Sequence, residues 1–165
     1  MIFRESEFVE LKSEVVSDIC KEVIAFANKE GGTIYIGVQD DGQILGIENA
    51  DRVILQINNM VRDSIKPDIT MFVRYEALEA GGKQIVAVTV QKGTDRPYYL
   101  GSKGLKPSGV YVRNGTFTDP ATDTAIRKMI KETDGDCFEN MRSLEQNLTF
   151  RSAAAQFAKR NVPFD

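Results

Sequence analysis

At Gly31-Gly32 the spacing of apolar residues changes from helical to alternating, and no other feature restricts the fold as much. Before the glycines, from Ser17 to Glu30, Ile19, Cys20, Val23, Ile24, Phe26 and Ala27 recur at the helical period. This predicts one amphipathic helix with the glycines as its left-handed stop. After them, Ile34, Ile36 and Val38 alternate with Tyr35 and Gly37, the period of a strand with two unlike faces. Asp41-Gly42 then predicts a two-residue hairpin turn, with a return strand at Ile44 to Ile47.

Further along, Asn49 or Asp51 is placed to cap a second helix whose stripe is Val53, Ile54, Ile57, Met60, Val61 and Ile65, ended by Pro67. Runs 69–78 and 84–91 are rich in β-formers and flank Gly81-Gly82, and a short strand is expected from Gly109 to Arg113. Asp119-Pro120 reads as the cap and first turn of a helix carrying Ala121, Ala125, Ile126, Met129 and Ile130. Two more helical stretches are expected around 137–148 and 150–160. The order of elements predicts an α+β fold, one mostly antiparallel sheet with helices packed on it. One domain over 1–132 is expected, followed by a helical extension over 133–165 that starts a further C-terminal region.

Composition narrows the chemistry. The chain has 165 residues and no histidine, so imidazole metal ligands and Ser-His-Asp triads are excluded. Catalysis would have to run on carboxylates, lysines, hydroxyls or a metal. Two cysteines are too few for a disulfide framework, and no window approaches the ~20 apolar residues of a membrane helix. A cytoplasmic protein with no membrane partner is therefore expected. The net charge of -3 is unevenly spread: residues 1–82 carry 8 basic and 15 acidic side chains, whereas 83–131 carry 9 and 3. A basic middle is either a phosphate-facing surface or a solvated face.

Two constellations carry chemistry. In Glu5-Ser-Glu-Phe-Val-Glu-Leu-Lys12, Glu10 and Lys12 lie on one side of a strand, beside a phosphate or simply as a surface ion pair. Glu5 is five residues from Glu10, so the two meet only if the chain bends before the strand. The segment from Lys92 to Arg113 sets Arg96, Lys103, Lys106 and Arg113 among Tyr98, Tyr99 and Tyr111. These are phosphate donors and stacking rings, although tyrosines beside strands also serve as core anchors. Neither Gly31-Gly32 nor Gly101-Ser-Lys-Gly104 completes a P-loop pattern, which removes the main support for ATP hydrolysis.

Glu5 to Lys12, Phe26-Ala-Asn28, Gly31-Gly32, Ile36-Gly-Val38, Asp40-Asp-Gly42, Gly46, Pro97-Tyr98 and Tyr111-Val-Arg113-Asn-Gly115 together resemble the Schlafen Alba-like domain family. The likeness runs from about Glu5 to Glu132. It implies an N-terminal, DNA- or RNA-binding module of a bacterial transcriptional regulator, of a type once described as a divergent ATPase. Some vertebrate members are ribonucleases with three acidic residues in the active site, and by motif these fall on Glu5, Glu10 and Asp41. With Mg²⁺ or Mn²⁺ on those carboxylates, Lys12 would face the scissile phosphate. Leu11 stands where the family usually has Phe. The vertebrate enzymes hold RNA between two copies of the domain, for which a homodimer would substitute here; a protein-interaction or dimerisation domain is the remaining alternative.

Overall fold

A computed structural model of the protein describes residues 3–133. The chain divides into two compact units, Met1–Ile130 and Lys131–Asp165, and nearly all described residues belong to the first. The helical stretches expected around 137–148 and 150–160 lie outside the described residues. No described helix is long and apolar enough to cross a membrane.

The elements run β1 (Val9–Lys12), α1 (Ile19–Asn28), β2 (Gly32–Ile36), α2 (Ala50–Ser64), β3 (Ile65–Lys66), a 3₁₀ turn (Thr70–Phe72), β4 (Val73–Ala80), β5 (Lys83–Val90), β6 (Tyr99–Leu100), β7 (Tyr111–Asn114) and β8 (Phe117–Pro120). The main sheet has the order β1-β2-β5-β4. Its β2-β5 and β4-β5 pairs are antiparallel, and β1 lies parallel to β2, as a helical crossover through α1 allows. Strands β3-β6 and β7-β8 form two small antiparallel ribbons. The α+β class with an antiparallel-rich sheet is therefore the observed one.

Alternation along the strands sorts their side chains between two apolar layers. Ile34 and Ile36 of β2 and Val86, Val88 and Val90 of β5 pack with Val23, Ile24 and Phe26 of α1 and Ile57 and Val61 of α2. On the other face Phe3, Leu11, Val38 and Ile85 form a smaller cluster. Because Leu11 faces that smaller layer, Glu10 and Lys12 face the α1 side of the sheet at its β1 edge.

The α1 stop forms as the glycines predict: Gly31 has φ +86 and its N–H donates to the Phe26 carbonyl at 2.8 Å. The α2 cap is Asn49, whose side chain accepts from the Arg52 N–H at 3.1 Å. Other expectations need correction. Gly42 (φ +90) takes the left-handed position of a longer turn in which its N–H reaches the Gln39 carbonyl, so the loop is not the two-residue turn read from Asp41-Gly42. No return strand forms at 44–47: Val38 and Ile44 make one isolated bridge, after which the Gly37 carbonyl accepts from both Leu45 and Gly46 and breaks the ladder. Residues 117–120 form β8 instead of a helix start, and Thr122 caps the helix that begins at 123. In the run 69–78 the strand starts only at Val73, after the 3₁₀ turn.

Candidate nucleic-acid interface and carboxylate cleft

Four charged side chains from three elements meet at the β1 edge of the main sheet. From β7, Arg113 brings Nη1 to Glu10 Oε1 at 2.7 Å, and its Nη2 donates to the Ser6 and Val9 carbonyls at 2.8 and 2.9 Å. Its guanidinium carbon lies 4.9 Å from the centre of the Phe26 ring. Lys12 Nζ stands 3.1 Å from Glu22 Oε2 and 3.6 Å from Glu10 Oε2. Thr118 on β8 donates its hydroxyl to Glu22 and accepts from Arg113 Nη1 at 3.1 Å. Glu10, Glu22 and Arg113 are all buried, so each depends on the others for its charge to be tolerated.

Burial raises the Glu10 carboxyl above its ordinary pKa against the pull of Arg113, and the nearby Glu5 carboxylate adds to the rise. Burial works against the Lys12 ammonium, but Glu22, with Glu10 behind it, outweighs this and holds its pKa above the ordinary lysine value. Glu5 and Glu10 thus come together despite their spacing. The Ser6–Val9 bridge turns the chain back before β1, and Glu5 Oε2 accepts from the Leu11 N–H at 3.4 Å.

A cleft of about 340 Å³ opens over this network, with Glu5, Glu10, Lys12 and Asp40 on one side and Thr116 and Phe117 of the β7-β8 ribbon on the other. Asp41, expected as the third carboxylate, lines a neighbouring hollow with Ser13 and Gln39, and its Oδ1 accepts from the Gln43 N–H at 2.9 Å. It holds the turn, and Asp40 borders the cleft. Among the described residues no three acidic or cysteine side chains are grouped so that they could hold a metal ion. Glu10 and Glu22 are already neutralised by Arg113 and Lys12, so the donor set in this arrangement does not fit a three-carboxylate Mg²⁺ or Mn²⁺ centre.

The expected nucleic-acid residues separate into surface and interior. Lys103 and Lys106 are exposed on the loop that joins β6 to β7, and Arg96 is half-buried. Tyr98 is fully buried: Asn28 Oδ1 accepts from its N–H at 2.8 Å, and its ring packs so closely on Gly93 that a Cβ there would collide with it. Arg113 is 3% exposed and committed to the network. Neither Tyr98 nor Arg113 presents a surface to a nucleic acid here. Both are corrections: from β7 the Arg113 guanidinium turns inward to carboxylate and carbonyl partners, and just before β6 the Tyr98 ring fills the core while its hydroxyl accepts from the Asp95 N–H at 3.1 Å.

Sequence reasoning missed Glu22 and Asn28. Glu22 follows Ile19 by three residues and precedes Phe26 by four, so it is an acid on the apolar face of α1, and that misfit was its signal. Asn28 is 1% exposed and also donates to the Tyr98 and Tyr111 carbonyls at 3.1 and 2.9 Å. A single amide thereby fastens both flanks of the lysine loop.

Comparison with known proteins places the chain. The family described as Schlafen, AlbA_2 is matched over residues 5–122. Comparison with functionally curated proteins found no match. Among solved structures, the DIP2311 protein from Corynebacterium diphtheriae is similar at a TM-score of 0.54 and 20% identity, over 70% of this chain and 25% of that one. The N-terminal domain of a RecG-related protein from Nitrosomonas europaea is similar at a TM-score of 0.48 and 19% identity, over 70% and 78%. The similarity thus spans about a quarter of the DIP2311 chain.

Proposed function

The chain belongs to the Schlafen, AlbA_2 family, and from that premise we propose that it is a nucleic-acid-binding module that positions a transcriptional regulator on DNA or RNA. The observation that carries this reading is the loop between Gly101 and Val110. Lys103 and Lys106 project from it, and the sequence holds no acidic residue between Asp95 and Asp119. Lys66 of β3 lies alongside, with its Cγ 3.2 Å from where a Gly101 Cβ would be. The loop is held by bonds from Leu100 N to Gly109 O (2.9 Å), Gly101 N to Ser64 O (2.8 Å) and Gly104 N to Leu100 O (2.9 Å). A cationic surface so fixed loses little conformational entropy when phosphates dock on it.

The test is binding of labelled duplex DNA and structured RNA across a range of salt. Replacing Lys103 and Lys106 with Ala is expected to weaken binding and to reduce the salt slope by roughly 1 for each phosphate that is no longer neutralised. Arg96→Ala added to that pair is expected to weaken it further. Unchanged affinity and slope would refute the assignment. A homodimer would present two such loops, and sedimentation of the protein with and without nucleic acid reports that state.

A second reading, RNA cleavage, is favoured by one observation: Glu5 and Glu10 meet beside Lys12 in a single open cleft. Among the described residues the carboxylates in this arrangement do not form an ion site. The same incubations, run with and without Mn²⁺ and with Glu10→Ala, separate the two readings. Metal-dependent cutting by wild type alone would establish the nuclease, and binding without cutting would leave a recognition module.

A further inference from the structure

We infer that Phe117 is a stacking platform for an unpaired nucleobase, whose polar edge enters the carboxylate cleft beside it. This rests on the nucleic-acid reading above. Phe117 is 70% exposed, whereas Phe3 and Phe26 are buried. Leaving a phenyl ring in water forgoes the stabilisation that its burial would bring. The ring also sits on a rigid support. Phe117 pairs with Asn114 across the tip of the β7-β8 ribbon, Gly115 (φ +64) makes the turn, and one residue back Arg113 locks the ribbon to the Ser6 and Val9 carbonyls.

The charge of the adjoining cleft decides which part of a nucleotide it takes. Glu5, Glu10, Glu22 and Asp40 outnumber Lys12 and Arg113, and both cations are already engaged by Glu10 and Glu22. A phosphate there would meet net negative charge. A base is neutral, stacks on an aromatic face, and offers N–H donors to the carboxylates of Glu5 and Asp40, which form no ion pair among the described residues. Adenine, cytosine and guanine carry exocyclic amino groups, whereas thymine and uracil offer a carboxylate only a ring N–H flanked by two repelling carbonyl oxygens. The cleft therefore selects amino-bearing bases. Only a base that is out of a duplex can lie flat on the ring.

The chain contains no tryptophan, so Phe117→Trp supplies a single tryptophan at the platform, excited selectively at wavelengths where tyrosine does not absorb. Titration of this variant with oligo(dC), oligo(dA), oligo(dT) and a closed duplex should quench its emission with dC and dA at lower concentration than with dT, and least with the duplex. Phe117→Ala should weaken oligo(dC) binding by roughly 5- to 150-fold, the equivalent of ~1–3 kcal/mol per stacked base, and leave the salt slope unchanged. Glu5→Ala with Asp40→Ala should bring dC and dT affinities together. If Phe117→Ala binds as wild type while the Lys103 and Lys106 variant is weakened, the platform is wrong and the module stands. If wild type binds no oligonucleotide, both fall. Emission of Phe117→Trp that shifts with protein concentration alone would mean that the ring covers a second copy of the chain, and would also overturn the proposal.

Discussion

Arg113 and Glu10 are 103 positions apart in sequence and 2.7 Å apart in the fold. Replacing Arg113 with Met keeps the bulk over Phe26 but leaves buried Glu10 and the half-buried Ser6 and Val9 carbonyls without their hydrogen-bond donor, while Glu22 keeps Lys12 and Thr118. The expected cost is about 3–5 kcal/mol, read from the urea midpoint. Arg113→Lys should recover little of it, since an ammonium cannot span a carboxylate and two carbonyls in a plane. A variant as stable as wild type would show that the charges relax into water. At this scale the sequence was legible where local pattern decides the outcome. Asn49 caps and Gly31 stops because their tasks involve neighbours within a few residues. It was not legible for Tyr98 and Arg113. Whether a residue on a strand, or just before one, faces water or the core depends on what the remainder of the chain lays over it, and a tyrosine or arginine is chemically suited to both.

At the scale of elements, the loop between β6 and β7 depends on a side chain that belongs to neither strand. Asn28 lies at the end of α1 and bonds to Tyr98 on one flank of the loop and Tyr111 on the other. Asn28→Ala is expected to cost about 1–3 kcal/mol by leaving buried backbone groups unpaired, and to speed amide exchange at residues 98–111. Exchange that stays at its wild-type rate would show that the loop is held by its own turns. Next to Asn28, Gly31-Gly32 could be mistaken for a phosphate cradle. A Cβ on Gly32 would instead collide with the Phe26 ring and lie 2.8 Å from the Phe8 carbonyl, so the pair serves the packing of α1 against β1 and β2. The α1-to-β2 switch was legible because period and stop signals are local. The short β3-β6 ribbon was not, as two-residue strands carry no period.

For the whole molecule, pH offers a test of how tightly the layers close. Tyr75 packs against the main core, and burial, with a smaller contribution from Cys20, pushes its pKa up to about 12. Lys12 is held above its ordinary value as well. In both cases the folded state keeps a proton that the unfolded chain loses at about pH 10, so the stabilisation is complete below that pH and is lost as pH rises through each raised pKa, about 12 for Tyr75. Urea midpoints should therefore fall between pH 9 and pH 11.5 (roughly the range over which unfolded tyrosine and lysine titrate). Because the Tyr75 hydroxyl is buried with no hydrogen-bond partner among the described residues, Tyr75→Phe should match or exceed wild type at neutral pH, by up to ~1 kcal/mol, and lose less in alkali. Equal losses would place that hydroxyl in water. By itself the sequence determined the mixed class of the fold, the helices α1 and α2, the β4-β5 hairpin and the membership that its motifs suggested, since each follows from periodicity or from residues close together in the chain. Only the tertiary structure decided that Glu5 and Glu10 meet, that Asp40 rather than Asp41 borders their cleft, and that Lys12 and Arg113 pair with Glu10 and Glu22 at its floor. Those outcomes depend on β1 pairing with β2 while β7 and β8 fold over α1, which joins residues up to a hundred positions apart and leaves no local trace.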